Sequence, residues 1–83
     1  MNPINLRVFY LDGREEDVTA IAADLVAFES KFDLSVARLE KEIRLSHLFF
    51  IAWHVLKRGG LKEEFEKWLE TVSIVTEASE QKK

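Results

Sequence analysis

The histidines are the side chains best suited to chemistry in this chain, because each imidazole can bind a metal ion or transfer a proton. His47 and His54 are seven residues apart, about two helical turns, so on a helix they project in similar directions. A metal site needs a third donor, and none occurs three or four residues from either histidine in the usual spacing. We therefore expect one interfacial and one partly buried histidine, and no metal site.

The other candidates by residue type lack the surroundings that catalysis requires. No nucleophile motif surrounds any of the serines Ser30, Ser35, Ser46 and Ser73. Glu63, Glu64 and Glu66 fall on the polar side of an amphipathic pattern, where carboxylates are usually solvated. The three glycines form no phosphate-binding loop. The sequence therefore predicts no catalytic residue and no cofactor, and a protein that is not an enzyme.

Composition narrows the classes of partner. The 83 residues carry a net charge of −3 and contain no cysteine, which excludes disulfides and fits a reducing cytoplasm. No basic patch of the kind that binds phosphate backbones is visible, so we expect no nucleic-acid partner. The longest apolar run is shorter than the roughly 20 residues that a membrane span requires, and the N-terminus lacks a signal-peptide pattern. We expect a soluble intracellular protein with no membrane partner.

The N-terminal segment predicts a β-hairpin. Alternation over residues 4–11, an Asp12-Gly13 turn and a short, charged return strand from Arg14 to Thr19 carry this prediction. The apolar side of the hairpin, which must lie on a helix, consists of Leu6, Val8, Tyr10 and Val18.

Three helices are predicted after the hairpin. The first runs from Ala20 to Lys31 with Thr19 as N-cap, and the second from Ser35 to Arg58, where Gly59 and Gly60 stop it. The third begins near Leu61, and its apolar face consists of Leu61, Phe65, Trp68, Leu69 and Val72. The predicted fold class is α+β, mainly α, with a short N-terminal β-hairpin followed by three helices. Residues 1–76 form one domain, and residues 77–83 form a flexible C-terminal tail.

Residues 45–56, LSHLFFIAWHVL, are apolar on every side of a helix. A helix of this kind is normally buried all round, and so short a chain has little material with which to cover it. An uncovered apolar face would mark a protein–protein contact. The residues expected to contribute to partner or self contacts are Leu48, Phe49, Ile51, Trp53 and Val55.

Four segments together resemble the small tail assembly chaperones of long-tailed, siphovirus-type bacteriophages. They are the N-terminal strand with its Asp-Gly turn, DLVAFESKF (Asp24–Phe32), RLSHLFFIAWHVLKRGG (Arg44–Gly60) and EFEKWLETV (Glu64–Val72). The most specific part is the apolar helix with Ala52-Trp53-His54 and its basic pair and glycines, followed by the acidic-aromatic segment with Trp68-Leu69. The resemblance spans roughly Leu6 to Thr76.

The resemblance implies a non-enzymatic protein of the bacterial cytoplasm that is absent from the mature virion. Such proteins coat and solubilise the tape measure protein, help to recruit tail tube subunits, and self-associate into homo-oligomers. It also implies a longer product made by a −1 ribosomal frameshift. The adenine-rich codons of Lys82 and Lys83 place the slip site at or beyond this end of the chain, unless the lysines are an ordinary solvated tail.

Two alternatives to the chaperone remain open. One is a structural head–tail, baseplate or tail component that stays in the virion. The other is a small adaptor or regulatory domain unrelated to phage, in which the apolar helix is simply core.

Overall fold

The computed structural model describes residues 4–33 and 44–78. Its elements follow in the order β1 (Ile4–Tyr10), β2 (Glu15–Ala20), α1 (Ala22–Phe32), α2 (Leu45–Arg58), α3 (Phe65–Leu69) and β3 (Val72–Glu77). The strands form one antiparallel sheet in the order β2-β1-β3. The chain thus returns to the sheet at its end, and β1 is the central strand.

The predicted fold class, α+β, mainly α, with a hairpin followed by three helices, is wrong in its second half. The α+β description and the N-terminal hairpin agree with the structure. However, the third helix has only five residues, and a third strand follows it. The sheet therefore has three strands. Of the predicted helical face, Leu61 precedes α3, Phe65, Trp68 and Leu69 lie in α3, and Val72 lies in β3.

A run of β-branched residues explains why the third helix stops so early. From Thr71 to Thr76, every residue except Ser73 is branched at Cβ, which disfavours helix and favours a pleated strand. The Thr71 hydroxyl donates to the carbonyl of Trp68 at 2.7 Å, and this bond satisfies a carbonyl of the last helical turn. Trp68 is almost completely buried and anchors α3 beneath the sheet.

The predicted hairpin forms with a slightly longer loop than a two-residue turn. The amide of Tyr10 donates to the carbonyl of Arg14 at 2.9 Å, which leaves Leu11, Asp12 and Gly13 as the loop. Gly13 has a φ of +97°, and a residue with positive φ is common at the third position of such loops. Asp12 accepts a bond from the Arg14 amide at 3.0 Å.

One face of the sheet packs on the helices and forms the core. The four predicted apolar residues of the hairpin are all buried, as expected, and Ala20 and Val75 join them. The helices contribute Leu25, Phe28, Leu48, Phe50, Ile51, Ala52 and Trp68. Arg7, Asp17 and Thr76 lie exposed on the opposite face of the sheet.

The first two helices begin later than predicted. The N-cap of α1 is Ile21, whereas Thr19 belongs to β2 and donates its hydroxyl to the side chain of Asn5 at 2.8 Å. Arg44 is extended, with φ −114° and ψ 153°, so α2 starts at Leu45 and is not continuous with a helix from Ser35. Ser35 itself lies outside the described residues.

The predicted stop at the two glycines is confirmed. Gly60 has a φ of +123°, its amide donates to the carbonyl of Lys57, and the amide of Leu61 donates to the carbonyl of Leu56 at 2.9 Å. These two bonds are the Schellman pattern, which requires a residue that tolerates positive φ at the position of Gly60.

The predicted domain boundary after Thr76 falls inside β3. The strand extends to Glu77, and the amide of Ala78 donates to the carbonyl of Asn5 at 2.8 Å; residues 79–83 lie outside the described part of the chain. Within residues 4–33 and 44–78, no helix combines the length and apolar character needed to cross a membrane.

Candidate functional site

Asp24 is the most unusual polar side chain among the described residues, because it is fully buried in the first turn of α1. Its Oδ1 lies 2.7 Å from Nδ1 of His54 and accepts a bond from Nε of Arg58 at 3.2 Å. Its Oδ2 accepts from Nη2 of Arg58 at 2.9 Å and from the Ile21 amide at 2.8 Å. The carboxylate therefore joins the beginning of α1 to the end of α2.

The partners of Asp24 keep it ionised. Burial alone would raise the pKa of Asp24, but the bonds donated by Arg58, the Ile21 amide and His54 outweigh it and hold that pKa below its ordinary value. The same carboxylate raises the pKa of Arg58. Because an ionised carboxylate can only accept hydrogen bonds, Nδ1 of His54 carries a proton in this contact.

An Asp–His pair can orient a catalytic base, but this one orients no nucleophile in the described part of the chain. His54 is hydrogen-bonded there to Asp24 and packs against the rings of Phe50 and Trp53; no hydroxyl is bonded to its other nitrogen. Catalysis of the triad type requires that hydroxyl. In this cluster the buried Asp24 carboxylate links the start of α1 to the partly exposed His54 and Arg58 near the end of α2.

The two histidines lie in different environments, one buried and one partly exposed. His47 is buried where its ring meets the edges of Phe28 and Phe32, with centroids 5.2 and 4.8 Å apart. His54 is partly exposed beside Asp24. Among the described residues, no group of three or more His, Asp or Glu side chains is arranged to hold a metal ion.

A groove of about 760 Å³ lies between the hairpin and the end of α2. Its apolar lining includes Val18, Val55, Leu56, Leu61 and Trp68. The hydroxyl of Tyr10 donates to Glu16 at 2.8 Å and accepts from Nε1 of Trp68 at 3.3 Å, and burial raises the pKa of Tyr10. Charges of both signs surround the groove. Arg58 is already bonded to Asp24, and Tyr10 to Glu16. The groove therefore favours no single class of small ligand.

The five residues predicted to contact a partner are placed in two different environments. Ile51 is 0% exposed and Leu48 is buried beside it, so both serve the core of the single chain. Phe49, Trp53 and Val55 are half-buried. The indole Nε1 of Trp53 donates to the carbonyl of Glu63 at 3.1 Å, and its ring packs on Phe65, which ties α2 to the following loop.

One side of α2 is only partly covered by the described residues. Leu45 is 53% exposed, and Phe49 and Leu56 are half-buried. The three residues are separated by four and seven positions, so they lie on one helical face. We call these three residues the α2 stripe.

The sequence predicted that α2 carries more apolar residues than the chain can cover, but not which side of the helix stays uncovered. Helical spacing alone places Leu45, Phe49 and Leu56 on one side, but it does not show that the sheet and α1 cover the other sides. The Asp24 cluster was also missed, since only the favourable position of Asp24 near the helix start is readable. Its partners are thirty or more residues away, and no local pattern brings them together.

No known family model, curated protein or solved structure matches this chain.

Proposed function

We propose that the protein is a non-enzymatic tail assembly chaperone that binds and solubilises the tape measure protein and helps to recruit tail tube subunits. The client and the recruited subunit come from the resemblance of the four sequence segments. The observation that carries the proposal is the α2 stripe, an apolar helix face that the other described residues leave partly open.

The chemistry of the stripe suits a long, apolar, helical client. Leu45 and Phe49 project from the first turns of α2, where an apolar helix of a partner can pack along them. Contacts between an apolar helix and its partner commonly use anchor residues three, four or seven positions apart, and the α2 stripe has spacings of four and seven. Packing would remove apolar surface from water on both partners, which is the main favourable contribution to such binding.

Co-expression with the tape measure protein of the same phage tests the proposal. We expect the tape measure protein to stay in the soluble fraction with the chain present and to precipitate without it. If the tape measure protein precipitates equally in both cases, the proposed function is wrong.

A matched pair of variants locates the binding surface. Leu45→Glu places a charge on the α2 stripe, and we expect at least fivefold weaker binding of the tape measure protein, as for loss of a contact worth about 1 kcal/mol. Val26→Glu is the control, because Val26 is 61% exposed on α1 and outside the stripe. Thermal unfolding of both variants checks that the fold is intact.

Mass spectrometry of purified virions separates the chaperone from a structural component. A chaperone is absent from the finished particle, whereas a head–tail or baseplate protein is present in stoichiometric amounts. The gene itself gives a second test, since we expect a slippery heptamer, an overlapping downstream frame and then a very long gene.

A further inference from the structure

The outer edge of β3 is the second surface left open by the described residues. β3 pairs with β1 on one side, and no described strand pairs with it on the other. From Val72 to Thr76 the strand carries no charge, and Glu77 is its only charged residue. An uncharged edge with unpaired amides and carbonyls is a template for another strand.

The hydrogen bonds of β3 show which residues face that edge. The amide of Ala78 donates to the carbonyl of Asn5, so this pair is of the hydrogen-bonded type, and such pairs alternate along an antiparallel ladder. The backbones of Thr76 and Ile74 therefore face β1. Those of Val75 and Glu77 face outward.

The other edge of the sheet is built differently. β2 begins with Glu15, Glu16 and Asp17, and a two-fold pairing of two β2 strands about Asp17 would set the two Asp17 carboxylates directly opposite each other. Such pairs are destabilising. Pairing of β3 with β2 of another copy would bring Glu77 towards the same acidic strand. It would also add copies one after another in an open chain and would not form a closed dimer. The charges thus favour pairing between the β3 edges of two copies.

We propose that two copies of this chain join through antiparallel pairing of their β3 strands, with the two-fold axis at Val75. Each Val75 then faces its counterpart, and Glu77 of one copy lies opposite Ser73 of the other. The two Glu77 residues are about 14 Å apart along the strands, beyond the screening length of roughly 8–10 Å in physiological salt. The result is a continuous six-stranded sheet.

Side chains across the new seam are compatible with this register. Ile74 of one copy lies opposite Thr76 of the other on the exposed face of the sheet, and pairs of β-branched side chains are favourable there. A register irregularity lies opposite Phe9 and Tyr10, near the start of β3. Because Phe9 pairs with Ile74 and Tyr10 with Val72, the irregularity falls at Ser73, and the regular part of the seam runs from Ile74 to Thr76 about Val75.

The proposal deepens the self-association that the resemblance implies, but its geometry rests on the sheet and not on the α2 stripe. Changes at β3 leave the stripe intact, and Leu45→Glu leaves the edge intact. Failure of the tape measure experiment and failure of the β3 pairing are therefore separate results.

Cross-linking tests the register, because the chain has no cysteine. Ile74 and Thr76 are both exposed, and in the proposed dimer they form a non-hydrogen-bonded pair about 4.5 Å apart between Cα atoms, within disulfide range. We expect a mixture of Ile74→Cys and Thr76→Cys chains to form covalent dimers at least tenfold faster than either variant alone. Equal rates, or faster linking by Thr76→Cys alone, overturn the proposed pairing.

The matched control uses the acidic edge. A mixture of Glu15→Cys and Thr19→Cys chains would cross-link if two β2 strands paired about Asp17. We expect this mixture to cross-link no faster than either variant alone. Faster cross-linking would place the dimer contact on β2 and contradict the proposal.

A proline variant tests the backbone bonds themselves. Glu77→Pro removes an outward amide without removing a bond to β1. We expect the dissociation constant of the dimer, measured by size-exclusion chromatography with light scattering, to rise at least tenfold. Glu77→Gln keeps the amide and should dimerise as the parent does. A parent that remains monomeric at millimolar concentration, or equal dimerisation of the two variants, contradicts the proposal.

Discussion

At the scale of single residues, Asp24 shows how a charge is kept inside a small core. Its carboxylate is 0% exposed, and four donors surround it: the amide of the N-cap residue Ile21, one nitrogen of His54 and two of Arg58. Burial of an unpaired carboxylate costs several kcal/mol or more, so the residue is stable there only with these partners. Removal of the charge would leave Arg58 without the group that fixes its position.

We expect Asp24→Asn to lower the free energy of unfolding by about 2 kcal/mol, less than for a fully enclosed pair because Arg58 and His54 keep access to water. Chemical denaturation measures the change. Asp17→Asn is the matched control, since Asp17 forms an exposed pair with Arg7 at 2.7 Å and exposed pairs contribute little. Equal effects of the two substitutions would contradict a special role for the buried carboxylate.

Acid should remove the contribution of Asp24. Because the pKa of Asp24 in the folded chain is below its ordinary value, the stabilisation is complete above about pH 4 and is lost as the pH falls through the folded pKa. We therefore expect the urea midpoints of the parent and Asp24→Asn to differ by a constant amount above about pH 4 and to converge as the pH falls from about 4 towards 2. A gap that stays constant across this range would show that Asp24 is not ionised through the expected window.

At the scale of elements, the sequence was most informative where a local pattern decides the structure. Alternation and the Asp-Gly pair predicted the hairpin, and the double glycine predicted the end of α2. The third strand was missed because the apolar spacing of Leu61, Phe65 and Trp68 suggested one long helix. The β-branched run from Thr71 was the signal against it, and the pairing of β3 with a strand more than sixty residues earlier has no local signature.

The two glycines after α2 should respond differently to substitution. Gly60 has a φ of +123°, so we expect Gly60→Ala to destabilise the protein by about 1–2 kcal/mol through backbone strain. Gly59 has a φ of −85°, and a Cβ there meets only carbonyl oxygens at ordinary distances of 3.6 Å. Gly59→Ala should be neutral or slightly stabilising, and thermal unfolding compares the two. Equal losses would contradict the assigned cap geometry.

At the scale of the whole molecule, a three-stranded sheet with helices on one face leaves two surfaces incomplete. The α2 stripe is apolar and partly covered, and the outer edge of β3 is uncharged and unpaired among the described strands. A domain this small has little core with which to stabilise itself, so contacts at either surface would add to its stability by mass action. The sequence predicted an apolar surplus in α2, and the fold determines how the residues of that helix divide between core and surface.

Oxidative footprinting of side chains, with and without the tape measure protein, tests whether the α2 stripe is the binding surface. We expect reduced labelling of Leu45 and Phe49 on binding, with Val26 labelled as before. Unchanged labelling of the α2 stripe in a complex that has formed, or protection of Val26 instead, would contradict this expectation.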